Sequence, residues 1–230
     1  FGIRTKRLYE YTYTVRAPGY LELDLDGDDG DVAVYGWTGR IKCAVDDGDV
    51  TLREIRSPTS SIRIEDGDVH VEKSSGEILV VGEDGDVSAV QSSFELFRVE
   101  MDDGDVTVKR SSGIFEIEVE DGDVDLREVA AARLDIRADD GDVDVGLQVT
   151  PEPDVEIQTA DGDVSVDLDA GFSATFSVSV DDGDIRSDLE GWDVLEQGDD
   201  WLSGEIHGGS GRIRIRTADG NVFLREVVGG

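Results

Sequence analysis

Carboxylates that flank a glycine are the residues best placed to do chemistry in this chain. The pairs are Asp29/Asp31, Asp47/Asp49, Asp66/Asp68, Asp84/Asp86, Asp103/Asp105, Asp121/Asp123, Asp140/Asp142, Asp161/Asp163 and Asp182/Asp184, and a last copy reads Asp219-Gly220-Asn221. Stacked turns of this kind would line their carboxylates into ladders. A calcium ion takes roughly six to eight oxygen ligands, so neighbouring turns could supply several of them. Weak calcium sites at these pairs, from Asp29 to Asp142, are the one metal expectation the residues support. Against it stands ordinary turn chemistry, since glycine takes positive φ at little cost and aspartate bonds its own backbone. Asn221 has lost a carboxylate, a change that a turn tolerates better than a ligand set. The Gly-Gly-x-Gly-x-Asp nonapeptide of calcium β-rolls and the EF-hand loop are both absent from the sequence. Solvated turns with weak cation association are the favoured reading, and no cofactor is required.

Few other residues compete. Cys43 is the single cysteine, which excludes an intramolecular disulfide and a Cys-based metal cluster. His70 lies between Val69 and Val71, so it is expected to point outward in a row with Thr51, Ser88, Thr107 and Asp125. His207 precedes a glycine loop and has no second histidine beside it. Zinc spacings, a Gly-x-Ser-x-Gly elbow, a Walker loop and a dinucleotide fingerprint are all missing. Glycosidases work with two carboxylates, but acids are so abundant here that no pair stands out. The chain is therefore read as not an enzyme, with a carbohydrate-active β-helix as the enzymatic alternative.

The acids also set the partners. Fifty-five acidic residues oppose 21 basic ones, for a net charge of −34. Such a surface repels nucleic acid and anionic lipid heads, and attracts cations or basic partners. Only four of the basic residues are lysine, and aspartate outnumbers glutamate 36 to 19. High aspartate with low lysine resembles the proteins of salt-loving microbes. At molar salt the Debye length falls to ~3 Å, which removes most of the self-repulsion. No apolar run approaches the ~18 residues of a membrane-spanning helix, so direct insertion of this segment is not expected. Phe1 is not a natural start, so a leader or anchor is expected ahead of it.

The motif recurs with a rhythm that defines the elements. Its central glycines are Gly30, Gly48, Gly67, Gly85, Gly104, Gly122, Gly141, Gly162, Gly183 and Gly220. The first intervals alternate between 18 and 19, the next two are 21, and the last is 37, as if one copy had lost its signature. A 37-residue superperiod follows, and it shows in the links as well. Gly36-Trp37-Thr38-Gly39, Ser74-Ser75-Gly76 and Ser111-Ser112-Gly113 alternate with the longer links 56–61, 90–94 and 129–132. Around each turn the residues alternate: Phe97, Val99 and Met101 share one face, and Arg98, Glu100 and Asp102 the other. Period two marks half-buried strands, and no segment holds a helical period. The expected fold is all-β, a β-solenoid or β-helix-like stack of 18–19-residue two-strand units. A flat meander of so many strands would leave an apolar face uncovered.

Residues 1–230 are read as one repeat domain. Residues 1–20, with the alternating stretch Tyr9–Val15, are expected to cap the stack, and 21–186 to hold the regular repeats. Residues 187–211, with Trp192 and Trp201, read as an irregular insertion or degenerate coil with a packing role, and 212–230 as the final repeat.

The stretches Gly30-Asp31-Val32-Ala33-Val34-Tyr35-Gly36-Trp37 and Gly208-Gly209-Ser210-Gly211-Arg212-Ile213-Arg214-Ile215-Arg216-Thr217-Ala218-Asp219-Gly220-Asn221-Val222, with the Gly-Asp-Val copies between them, resemble the bacterial and archaeal Toastrack family, also labelled as adhesins. The resemblance runs from about Leu8 to Val227. It implies a β-helical, non-catalytic module at the cell envelope or attached to a membrane anchor, with no catalytic residues to carry over. The acidity of this chain departs from adhesion to anionic surfaces. The expected role is a structural or interaction module of the envelope that presents a rigid acidic β-rod to an unidentified protein or surface. A calcium- or cation-binding repeat is the first rival, and the cytoplasm of a halophile is the alternative location.

Overall fold

A computed structural model describes residues 13–189 and 191–227. Every regular element in it is a β-strand. The chain winds as coils, each giving one strand to a first sheet and one to a second. In chain order the coils are β1 (Leu23–Asp29) with β2 (Val32–Tyr35), β3 (Ile41–Asp47) with β4 (Val50–Arg53), β5 (Arg56–Asp66) with β6 (Val69–Glu72), β7 (Ser75–Asp84) with β8 (Val87–Val90), and β9 (Ser93–Asp103) with β10 (Val106–Lys109). β11 (Ser112–Asp121) follows, and then the long β12 (Val124–Asp140), whose two halves serve the two sheets. The last elements are β13 (Val143–Leu147), β14 (Asp154–Asp161), β15 (Val164–Asp169), β16 (Ala174–Asp182), β17 (Ile185–Asp188), β18 (Trp192–Gln197), β19 (Trp201–Ile206), β20 (Gly211–Asp219) and β21 (Val222–Val227).

Successive coils pair parallel and in register, as in Leu23↔Ile41 and Val50↔Val69. One 18–19-residue unit is therefore one coil of a β-solenoid, and the 37-residue period spans two. The cause of that period is a single extra residue in alternate coils. Pairing runs from Ser57↔Gly76 to Thr59↔Glu77, which leaves Pro58 over; Glu95 and Ala132 are left over in the same way. A glycine faces each of these bulges because the partner backbone is too close for a Cβ. One built on Gly76 would lie 1.8 Å from the Ser57 carbonyl oxygen, and one on Gly113 2.0 Å from that of Phe94.

The alternation puts every second side chain inside. One inward row of the first sheet reads Cys43, Ile62, Val80, Val99, Ile117, Ile136 and Ile157, and the second sheet faces it with Val50, Val69, Val87, Val106, Val124, Val143 and Val164. All of these are buried. Each such side chain contributes roughly 1.5–3 kcal/mol on leaving water, so the apolar rows hold the sheets together. Phe94, Phe97 and Phe115 fill one layer, with Phe94 stacked on Phe97 at 4.7 Å between ring centroids.

At one end the stack departs from chain order. β14 pairs with β20 rather than with β16, and β15 pairs with β21. β16 and β17 then pair on the far side of β20 and β21. The final coil of the chain thus lies between the two coils that precede it. Residues 187–211 carry β18 and β19, an antiparallel hairpin laid against the outer edge of β16. Trp192 packs on Phe176 there, 5.3 Å between ring centroids. At the opposite end, Tyr13–Pro18 form no strand. Residues 1–12 of the expected cap at 1–20 lie outside the described residues.

Candidate functional site

The Asp-Gly-Asp triplets all fall at one corner, where the chain passes from the first sheet to the second. The structure stacks all of the predicted carboxylates there. Each corner glycine has a positive φ, from 120° at Gly30 to 149° at Gly122. Its N–H donates to the carbonyl of the first aspartate of the next coil, as Gly30 does to Asp47 at 2.7 Å. The following valine N–H donates to the carbonyl of the second aspartate, as Val32 does to Asp49 at 2.8 Å.

The second aspartate of each triplet has a further partner. Asp31 Oδ1 accepts from the Asp49 N–H at 3.1 Å, and the same bond joins Asp49 to Asp68, Asp68 to Asp86, Asp86 to Asp105, Asp105 to Asp123, Asp123 to Asp142 and Asp142 to Asp163 at 2.8–3.0 Å. One carboxylate oxygen is thus committed to the backbone of the neighbouring coil and the other faces water. The first aspartates, from Asp29, Asp47, Asp66 and Asp84 through Asp103, Asp121 and Asp140 to Asp161, are exposed. Among the described residues no group of three or more His, Cys, Asp or Glu side chains is placed to hold a metal ion. What the corner can do chemically is satisfy its own backbone and hold a straight row of solvated charge.

The opposite corner has an equivalent that sequence reasoning missed. Ile55 N–H donates to Ser74 Oγ, Ser74 N–H to Ser92 Oγ and Ser92 N–H to Ser111 Oγ, at 3.0–3.1 Å. Each of those hydroxyls in turn donates to a carbonyl two residues back. The signal was present, since these serines repeat at the coil spacing. Just before them, Glu54, Lys73, Gln91, Arg110 and Glu128 hold left-handed φ of 49–56°.

His70 lies in the outward row with Thr51, Ser88, Thr107 and Asp125. Its Nδ1 is 2.8 Å from Ser88 Oγ. His207 Nδ1 is 3.0 Å from the Phe172 carbonyl oxygen. Cys43 is buried, and loss of water pushes its thiol up to about 11, so it stays protonated at neutral pH.

Sequence reasoning also missed a hollow on the second sheet. In the middle of the stack that sheet's strands lengthen, from the four residues of β10 to five in β13 and six in β15 and β21. Gly146 sits at this step with no side chain, beside Asp167 of the next coil. A hollow of about 390 Å³ opens there, lined by Asp125, Asp144, Asp169, Glu128, Arg127 and Arg225 among others. Arg127 is held by Asp125 and Arg225 by Asp167, each at 2.7 Å. The hydrogen bond from Arg127 to Asp125 raises its pKa further above the ordinary guanidinium value. The lengthening of the interval from 19 to 21 was the one sequence trace of this step.

A family model described as Toastrack DUF4097 matches residues 20–113 and 83–225. The chain belongs to the Toastrack family. The two matches overlap and together reach from the first regular coil to the last, so this Toastrack chain is a repeat module throughout the matched span. The family is a domain of unknown function and not a known enzyme family. No curated protein and no solved structure matches the chain. Among the described residues no helix is long and apolar enough to cross a membrane.

Proposed function

We propose that this Toastrack chain is a non-enzymatic structural or interaction module of the cell envelope, a stiff acidic β-rod that displays rows of side chains to a partner. The observation that carries this reading is the unbroken corner ladder. Every coil from Asp31 to Asp163 is tied to the next through backbone and side chain together. A stack bonded so at each step bends little, and its outward rows keep their spacing over the whole length. The carboxylates stand in water, so the display is one of charge. A salt-rich medium screens the −34 and suits the rod to carry it.

Binding to isolated envelope fragments of the source cell tests the proposal. Retention of the purified chain is expected to saturate, and to weaken when the exposed first aspartates of the corner row, Asp84, Asp103 and Asp121, are changed to asparagine. Retention that never saturates, or that equals an acidic globular control, would sink the envelope role. An enzymatic reading is tested at the hollow, which several carboxylates line. Release of reducing ends from a polysaccharide, lost in Asp144→Asn, would establish that reading instead.

A further inference from the structure

The coil that ends the chain is not the coil that ends the stack, and its composition differs from everything around it. Residues 211–227 carry Arg212, Arg214, Arg216 and Arg225 against Asp219 and Glu226, a net +2 in a chain of −34. They occupy a slot between β14/β15 and β16/β17. The slot is anionic where they enter it. Arg212 donates three hydrogen bonds to the Asp154 carboxylate, from Nε at 3.0 Å and from Nη2 at 2.7 and 2.8 Å, and Arg225 bonds Asp167 at 2.7 Å. At the corner this coil brings the one asparagine of the ladder. Asn221 donates its backbone N–H and its Nδ2 to Asp163 Oδ1, and accepts from the Asp184 N–H. A carboxamide entering between Asp163 and Asp184 meets no like charge of its own.

The connection into this coil is short and constrained. Ile206, at the end of β19, and Gly211, at the start of β20, both register with Ala174, from opposite sides of β16. Residues 207–210 must therefore pass round one end of β16. They do so around Ser173: its hydroxyl donates to the His207 carbonyl at 2.9 Å and accepts the Ser210 N–H at 3.1 Å. Three successive residues are left-handed, His207 at φ 49°, Gly208 at 89° and Gly209 at 64°. His207 takes the left-handed φ that Glu54, Lys73, Gln91, Arg110 and Glu128 also take at the regular corners, at the steric cost that region carries for any residue with a Cβ.

We propose that the terminal coil exchanges between copies, residues 211–227 of one chain filling the slot of a second and joining two rods into a dimer. Exchange recreates every strand pairing, the Arg212–Asp154 pair and the Asn221 corner, and it alters only the Ser173 hinge. Opening that hinge releases the left-handed run, and a short strained hinge is what favours exchange of an identical element. The occupant is a second copy because its coil brings the same charge, the same register and the same asparagine to the slot.

Thiol trapping in the full chain tests this. Ser165 and Phe223 are registered neighbours on β15 and β21, and Cys43 is buried, so it stays out of reach. A chain carrying both Ser165→Cys and Phe223→Cys is expected to close internally; failure to close would overturn the placement of the coil and the exchange with it. The two single variants are then mixed at high concentration in molar salt, which screens the mutual repulsion. A covalent heterodimer several-fold above either homodimer is expected. It should rise further with Gly208→Val and Gly209→Val, which disfavour the closed hinge. Heterodimer no more abundant than the homodimers, with both hinges, overturns the proposal.

Discussion

Asp163 and Asn221 are 58 residues apart in the chain and one step apart in the corner ladder, where Asn221 donates two hydrogen bonds, at 2.7 and 2.9 Å, to a single oxygen of Asp163. The amide does what the carboxylates at other steps do, accepting from the next coil through its own oxygen. The ladder therefore needs an acceptor and not a charge. Asp105, which accepts from the Asp123 N–H at 2.9 Å, separates the two. Asp105→Asn keeps the acceptor and removes a like charge, so its melting temperature should exceed the parent's at low salt and match it at molar salt. Asp105→Ala loses the acceptor and should cost about 1 kcal/mol in molar salt.

Removal of divalent cations follows from the same bond. With one oxygen of each inner carboxylate already held by the backbone, a chelator is expected to leave the melting temperature unchanged. A bound ion must stabilise the folded chain, so a fall of several degrees on chelation, restored by calcium, would establish a calcium site at the corner.

The corner glycines differ by position. A Cβ on Gly104 would lie 2.1 Å from the Gly85 carbonyl oxygen, while one on Gly30, in the first coil, meets nothing within 4 Å. Both have positive φ, so alanine strains each backbone, but only Gly104→Ala also forces two coils apart. Urea unfolding should show Gly104→Ala several kcal/mol less stable and Gly30→Ala only about 1 kcal/mol less stable. Equal losses would mean that close approach plays no part.

Two buried serines should respond in opposite senses. Ser74 accepts the Ile55 N–H and donates to the Glu72 carbonyl. Ser74→Ala leaves the buried Ile55 N–H unpaired, while the Glu72 carbonyl keeps the Glu54 N–H, and should cost about 1–3 kcal/mol. Ser60 stands in an apolar row between Ile41 and Ile78, and its hydroxyl has no partner. Ser60→Ala removes that unsatisfied group and should be neutral or stabilising by about 1 kcal/mol. Denaturant midpoints of the two variants decide it.

Titration should reveal the crowding of acids beside the corner. Glu65 has its pKa raised, chiefly by Asp46 and then by Glu83 on the neighbouring coils. A carboxyl with a raised folded pKa binds its proton more tightly folded than unfolded, so its ionised form destabilises the fold and stability rises as pH falls through that pKa. Glu72 runs the other way. Its hydrogen bond with Lys73 lowers its pKa, and that contribution, full above the ordinary glutamate range, is lost as pH falls through the lowered value. Glu65→Gln should therefore melt higher than the parent at neutral pH and low salt, with the difference vanishing in acid. A difference independent of pH would show that repulsion at Glu65 is not the cause.

The legible parts were those set by neighbours in the chain. Asp-Gly-Asp gave the corner because positive φ is a property of one residue, and Val-x-Val gave the inner rows because a strand alternates. The 37-residue rhythm was visible in the spacing, but not its origin. A bulge at Pro58, Glu95 or Ala132 exists only relative to the coil beside it. The serine ladder was overlooked because Ser74, Ser92 and Ser111 look like ordinary loop residues until their hydroxyls meet the next coil's backbone.

The sequence by itself determined a stack of two-strand units with glycine corners and a dry interior, while the parallel register that makes each 18–19-residue unit one coil came from the structure. The units, corners and interior need only short-range geometry repeated many times. The order of the last coils was decided by the tertiary structure alone. Both β16 and β20 carry a corner that fits on β14, so local pattern cannot rank them. β20 sets Arg212 and Arg214 beside Asp154 and Glu156, where β16 would have set Thr175 and Ser177. In a chain this acidic, that difference in charge is a physical reason for the last coil to lie inside the stack and not at its end.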